Sequence, residues 1–566
     1  MDNQRNIEYY DSHVWDVKLE NITSDEYNAE ILRKLRDNDP AFTMIFLTLQ
    51  FDDEDDFVIN DDDDMGWLGY FIGRNTKLQE LYIIGDFLDT PGGESDHSHS
   101  RIDALTQGIS LNKSIEKLEI STESGDLFLH RLGNFFRNNK NLMHLLLSDF
   151  NVGPESARNL AVMLRVMSLE YFHLEGLCYD VDSDDFIDDD GVSAEVMSAL
   201  SKHTRLDSLH LCASKVNQKG CTAIGGLSSL KELSLRCNDI DDEGMNSLVG
   251  NMSSLSNLMH LMIVGNNFIT VSGIMTLSTF LQSKCRGLLH LELSNMGIDN
   301  HKAAALSSGL AGLRSLKYLG LRNSICDDAL RNLVAAVTNK STLEVLNLSE
   351  NDSITAKGLS SLSILFQSER CCLRELNLCD MHIGDDGAEA LAKGLVGNKS
   401  LKCLKFHDSF LTSARVGIST TGWSAFTRLV CDTSSINNTY LSNHTLERIC
   451  GYNLEDGISP PDVEHLLALN RRQDEAPLCK ILMNHPDLDM KLLFRWKLKF
   501  LPLIIAWLER ARHSYVGDSS KRFHCRGREL SAAYQFIHGL PSLAVAGYRG
   551  QNMTDTQSKK RKFDHL

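Results

Sequence analysis

The sequence predicts an α/β leucine-rich-repeat solenoid: each repeat adds one strand to a parallel sheet and one helix outside it. Three observations carry this. Leu230-Lys-Glu-Leu233-Ser-Leu235-Arg-Cys-Asn238-Asp-Ile240 is an LxxLxLxxNxI segment, and similar segments recur along most of the chain. Most of them follow one another at 24 to 30 residues, within the leucine-rich repeat period. Between them lie stretches with helical spacing that open on Asp and Gly. One such unit cannot bury its own apolar side, so neighbours must stack.

Within a repeat, Leu233 and Leu235 alternate as on a strand with one buried face. Asn238 suits the turn that leaves the strand, where its amide can bond backbone groups without ladder partners. Asp242, ahead of Gly244, is placed to cap the helix that follows, and Asp386 is placed likewise before Gly387-Ala-Glu-Ala-Leu391-Ala-Lys-Gly-Leu395. Gly397-Asn398 can end that helix in a left-handed turn.

Strand markers fall at Val14, Met44, Leu78, Ile115, Leu142, Leu169, Leu206, Leu230, Leu258, Leu288, Leu316, Leu343, Leu373 and Leu401, with a degenerate repeat near Ile436. Strands spaced by about 4.8 Å would line a curved inner surface of roughly 60 Å, a horseshoe with helices on its convex side. Three longer steps hold acidic insertions near 52–64, 86–100 and 180–190, all between a strand and a helix and so on one rim.

The D-x-G helix start, the Asn before each LxxLxLxxN core and the period near 28 residues resemble the ribonuclease-inhibitor-like leucine-rich repeats. The resemblance covers roughly residues 14–446. It implies a protein-binding scaffold, since members of this class share an architecture and bind unrelated proteins. One branch of the class stimulates Ran, which makes GTPase activation an alternative. No motif residue here matches that role, and the tail is basic where such proteins carry an acidic one.

The repeat array is assigned to residues 1–449, a helical C-terminal cap region to 450–547 and a disordered basic tail to 548–566. Net charge is −19, which disfavours nucleic acid and favours a protein partner with a basic face. The fourteen cysteines are scattered without a CxxC pair, as expected of free thiols in a reducing compartment. The amino end shows no apolar leader, and the apolar run at 500–508 is too short to span a bilayer. A cytoplasmic or nuclear location is expected. Lys559, Lys560, Arg561 and Lys562 look like a nuclear import signal. Beginning repeats at Val14 would leave no room for an amino-terminal recruitment domain.

The third, fifth and seventh positions of each LxxLxLx core point away from the helices. They form a file on the concave face: His144, Tyr171, His173, Glu175, His210, Glu232, Arg236, His260, His290, Glu292, Tyr318 and Arg322. Exposed aromatic and arginine side chains supply interface anchors, so this file is the candidate partner-binding surface. His173 and His210 share a column, as do His260 and His290, but two imidazoles without a fixed second shell are a poor metal site. Asp180-Val-Asp182-Ser-Asp184 alternates like half an EF-hand loop, yet Asp185 and Gly191 replace the required Gly and Glu. No phosphate loop, nucleophile elbow or zinc spacing is present, so no enzyme and no cofactor is expected. Inhibition of a basic enzyme is a further alternative.

Overall fold

The computed structural model describes residues 7–485 except 49–55, 61–62, 86–94, 123–124, 150–151, 178, 181–184, 187–191, 253–256, 408–416, 452–458 and 473–474. The basic tail, the expected helices at 490–508 and 528–538, and most of the acidic insertions lie outside the described residues. The strands are β1 (Met44–Thr48), β2 (Asp56–Val58), β3 (Glu80–Ile84), β4 (Lys117–Ser121), β5 (His144–Ser148), β6 (Tyr171–Glu175), β7 (Tyr179–Asp180) and β8 (Asp185–Phe186). They continue as β9 (Ser208–Cys212), β10 (Glu232–Arg236), β11 (His260–Val264), β12 (His290–Glu292), β13 (Tyr318–Gly320), β14 (Val345–Asn347), β15 (Glu375–Asn377), β16 (Cys403–His407) and β17 (Arg448–Gly451).

Fifteen strands form one open sheet in the order β2-β1-β3-β4-β5-β6-β9 and then β10 through β17. Every described pairing in it is parallel, and helices alternate with the strands along the chain. The short antiparallel pair β7–β8 stands in the third acidic insertion. The chain divides into two compact units, residues 1–382 with 405–416, and residues 383–404 with 417–566.

In the first unit, apolar residues at the fourth and sixth core positions, such as Leu145, Leu147, Leu233, Leu235, Leu261 and Ile263, are almost wholly buried. The intervening positions of β4, β5, β6 and β9 are part-exposed, the alternation a one-sided sheet requires. Hydrogen bonds then join each repeat to the next. Asn238 donates to the carbonyls of Leu211 and Arg236 and accepts from the Ser214 amide. Asn266 repeats this one step on, donating to Leu235 and Val264 and accepting from the Asn238 and Ile240 amides. Asn351 serves Leu321, Ser324 and Ile325 in the same way.

Where the helices end, a second row of asparagines does the same work. Asn75 donates to Leu35, Asn112 to Ile72 and Asn75, and Asn139 to Ile115. His203 replaces asparagine in this row: its Nδ1 accepts from the Leu169 amide while Nε2 donates to the Leu164 carbonyl at 2.7 Å. Burial lowers its pKa, in keeping with a neutral ring that both accepts and donates.

The structure corrects several sequence expectations. Val14 lies in a turn after the helix Ile7–His13, and the first strand is β1. That helix instead sets Tyr10 against Trp67 and Tyr70, at ring separations of 4.8 and 5.7 Å, and Asp11 accepts from the Tyr70 hydroxyl. In β1, Met44 pairs with Glu80, so Phe42 and not Met44 takes the first-leucine position. The insertion near 52–64 is not simply a solvated crest. Asp56 is buried in the edge strand β2, and buried Asp63 accepts from Asn28 and from the Asn60 amide. Asp64 caps the helix Met65–Arg74.

Asp242 does not cap its own helix. Asp241 does that, and Asp242 in the first turn accepts from the amides of Thr270 and Gly273, which open the next helix. Asp327 does the same for Thr355. The recurring aspartate therefore serves the neighbouring repeat.

In the second unit Asp385 bonds the Ser419 and Gly422 amides in the same manner, while Asp386 sits within the first turn of the helix Gly384–Gly394 rather than before it. Asn443 donates to Leu395 and Asn398, and Asn470 donates to Asn443 and Leu446. The Asn443 oxygen accepts from the amides of Thr445 and Leu446 as the chain enters β17. Among the described residues no strand follows Asn470. Its oxygen accepts instead from Lys480 Nζ at 2.5 Å, on the helix Ala476–Asn484. Lys480 is wholly buried and also donates to the Val430 and Asn443 carbonyls at 2.5 and 3.2 Å. Burial pushes its pKa down to about 7, and His444 Nδ1 lies 3.3 Å from Nζ as a fourth partner beside the three oxygens.

Asn266→Ala should cost about 2–3 kcal/mol in denaturant unfolding, because two buried carbonyls lose their donor and two amides their acceptor. Lys480→Met should strip hydrogen-exchange protection from Pro461–Asn484 while leaving protection of β5 to β13 unchanged.

Candidate protein-binding surface

The strand register puts the predicted residues into columns. His144, Tyr171, Ser208, Glu232, His260, His290 and Tyr318 lie side by side on successive strands. Leu146, His173, His210, Ser234, Met262, Glu292 and Gly320 form the column beside it. Glu175, Cys212 and Arg236 are likewise aligned. Arg322 follows β13 and is engaged by Glu350.

The rings in these columns touch in two groups. Tyr171 and His210 have centroids 5.1 Å apart, with His173 at 5.9 Å from His210 and His144 at 6.0 Å from Tyr171. Farther along, His290 stacks on Tyr318 at 4.0 Å and 3°, with His260 at 5.7 Å from His290. Between the groups, β10 carries Glu232, Ser234 and Arg236.

Each group holds a carboxylate among imidazoles. Glu232 lies 3.6 Å from His210 Nε2 and 3.8 Å from His260 Nδ1. Glu292 lies 3.8 Å from His290 Nε2 and accepts from the Ser294 hydroxyl. Among the described residues no lysine or arginine pairs with either. Glu292 reaches across β13 at Gly320, where an added Cβ would fall 2.0 Å from its carboxylate oxygen. Tyr318 is held by Asn347 at 3.2 Å, and its pKa is raised by burial and then by the charge of Glu292.

Burial sets the charge state of the imidazoles. It lowers the pKa of His173 and His210 despite nearby glutamates, and it lowers His290 to about 4, helped by His260. These rings are therefore neutral near pH 7, and among the described residues no lysine or arginine forms an ion pair with the glutamates beside them. His210 Nε2 is buried without a hydrogen-bond partner. Burial also pushes the Cys212 thiol up to about 12, which makes it unreactive.

The surface extends past the predicted file. Phe46 and Tyr82 stack at 4.1 Å and 17° on β1 and β3, and Lys117 Nζ lies over the Tyr82 ring at 4.6 Å. They occupy third or fifth core positions, which the position rule reaches when it is carried from Leu78 and Ile115 back through the first strands. No group of three His, Cys, Asp or Glu side chains suited to a metal occurs among the described residues. Nor, among them, is any helix long and apolar enough to cross a membrane. The His97 and His99 side chains and the nuclear-signal residues Lys559 to Lys562 lie outside the description.

Comparison with known proteins agrees with the architecture. A leucine-rich repeat family model matches residues 226–249, 339–363 and 370–392. Protein CARMIL of Dictyostelium discoideum is 23% identical over 199 residues, covering 34% of this chain and 19% of that protein. The human NACHT, LRR and PYD domains-containing protein 5 is 29% identical over 204 residues, covering 36% and 16%. Mouse NACHT, LRR and PYD domains-containing protein 14 is 25% identical over 293 residues, covering 51% and 28%. The matches thus span less than a third of these relatives. Among solved structures, the yeast Rad7 and Elc1 complex gives a TM-score of 0.39 at 15% identity, covering 65% of this chain and 85% of that one. The complex of TLR13 with ssRNA13 gives 0.33 at 18%, covering 59% and 43%. The chain is a leucine-rich-repeat solenoid, an architecture whose members generally bind proteins along an extended surface.

The depressed histidines set a direction for pH dependence. Their folded pKa values lie below the unfolded value of 6.5, so their stabilising contribution is present above pH 6.5 and is lost as pH falls toward about 4. Urea unfolding at pH 7.5 and 4.5 should show a loss of stability that His290→Gln reduces by on the order of 1 kcal/mol, after discounting for solvent screening.

Proposed function

We propose that this protein is a non-enzymatic scaffold or adaptor, of the ribonuclease-inhibitor-like kind, that binds a protein partner with a basic face. The concave columns from β5 to β13 are its docking surface, extended by the acidic rim. The observation that carries this reading is the pair of carboxylates, Glu232 and Glu292, set among imidazoles and tyrosines with no described lysine or arginine paired to them. A carboxylate in such a setting attracts a cation strongly, and the rings beside it supply apolar contact without charge. The net charge of −19 steers a basic partner toward the whole molecule. Inhibition of a basic enzyme is a special case of the same docking. GTPase activation rests on the family resemblance alone. A location in the cytoplasm, with nuclear entry through Lys559 to Lys562, belongs to the same proposal.

Affinity capture from native cells tests it, comparing the wild type with a His173→Ala, His210→Ala and Tyr318→Ala triple variant. Proteins retained by the wild type should be released by moderate salt and should be absent from the variant eluate. An identical set retained by both would remove the concave face from the proposal.

A further inference from the structure

The partner segment can be specified further, resting on the docking surface just proposed. The two ring groups repeat one chemistry. At His210, a phenol ring (Tyr171) faces an imidazole and a glutamate (Glu232) lies 3.6 Å from that imidazole. At His290, a phenol ring (Tyr318) faces an imidazole and a glutamate (Glu292) lies 3.8 Å from it. A planar guanidinium suits such a place, since its face stacks on an aromatic ring while its edge bonds a carboxylate through two N–H groups. A lysine ammonium can use the carboxylate but gains less from the rings.

The separation of the two places is set by the sheet. His210 stands on β9 and His290 on β12, with β10 and β11 between them. His210 is in register with Glu292 on β12, two residues along from His290, so three strand steps of about 4.8 Å and an offset of about 6.6 Å put the places about 16 Å apart. An extended chain advances about 3.4 Å per residue, so four residues cover about 14 Å and the arginine stems take up the rest. Four is also even, so the two side chains leave an extended backbone on the same side. Spacings of two and six fall short of or overshoot the span, and odd spacings turn one side chain away.

We infer that the concave face recognises an extended basic segment carrying two arginines at positions i and i+4, one seated at Tyr171–His210–Glu232 and the other at His290–Tyr318–Glu292. The segment crosses the strands and is read by charge and ring stacking, with Glu232 and Glu292 as the specificity-determining groups.

Nine-residue peptides of Gly and Ser with two arginines, titrated onto the full chain by fluorescence anisotropy at low salt, test this. The i, i+4 peptide should bind at least five-fold more tightly than the i, i+2 and i, i+6 peptides. It should also bind at least ten-fold more tightly than the same peptide with citrulline in place of arginine. Glu232→Gln and Glu292→Gln should each weaken it at least three-fold and erase most of the spacing preference. Gly320→Ala should do the same by displacing the Glu292 carboxylate, without lowering the unfolding midpoint in urea. Equal affinity for all spacings, or a spacing preference that survives both glutamine variants, would overturn the inference. Capture that still fails with the ring variant would then leave the broader docking proposal standing, so the two can fail separately.

Discussion

Every repeat in this chain leaves backbone groups that only its neighbour can satisfy. Asn266 shows the constraint most fully: it donates to carbonyls of two strands and accepts from amides of the preceding turn. Asp242 shows it from the other side, spending its carboxylate on the next helix instead of its own. Burying an amide without a partner costs more than a hydrogen bond gains, so such groups fix the register between repeats more firmly than the leucines do. The leucines supply the driving force, and the polar side chains decide which strand residue sits beside which.

That register is what makes a surface. With the fourth and sixth core positions committed to the interior, the third, fifth and seventh carry no duty in the core. Because the pairing is in phase over β5 to β13, a residue type at one position recurs about 4.8 Å away on the next strand. Rings gather into rows by this means alone. The rows then alter their own electrostatics, since packing an imidazole against a phenol removes water from it and lowers its pKa. His290 is neutral because burial, to which the stacked Tyr318 ring adds, disfavours its cation, and His260 pushes the same way.

Much of this was legible in the residues. The strand at each LxxLxL core and the columns of inward-facing residues follow from a period of two and a repeat near 28, and β3 to β6 and β9 to β16 stand at the expected places. The misreadings share one cause, that a local pattern cannot say which neighbour a polar group serves. Asp242 looks like a cap and is one, for another helix. Asp56, Asp63 and Asp64 look like solvated crest and are two buried groups and a cap. Val14 sits at the right spacing for a strand, yet Tyr10 finds Trp67 and Tyr70 and the segment winds into a helix. On the candidate surface, residue identities were readable, whereas the charge state of His173, His210 and His290 depends on burial, which no spacing rule reports.

Lys480 is the plainest case of a group the sequence could not flag. The helix-end asparagine row normally ends each bond at the amides of the next strand, as Asn443 does with Thr445 and Leu446. The next described element after Asn470 is the helix Ala476–Asn484 and not a strand, and a buried amide oxygen left without a donor there would cost about 1–3 kcal/mol. A hydroxyl or amide side chain could donate to one or two acceptors at that point. Lys480 Nζ reaches the oxygens of Val430, Asn443 and Asn470, with His444 Nδ1 beside them at 3.3 Å, and so gives the Asn470 oxygen the donor that strand amides give Asn443. Its desolvation is the cost, visible in a pKa pushed down to about 7. Lys480 thus meets within the second unit the same demand that Asn266 meets inside the array.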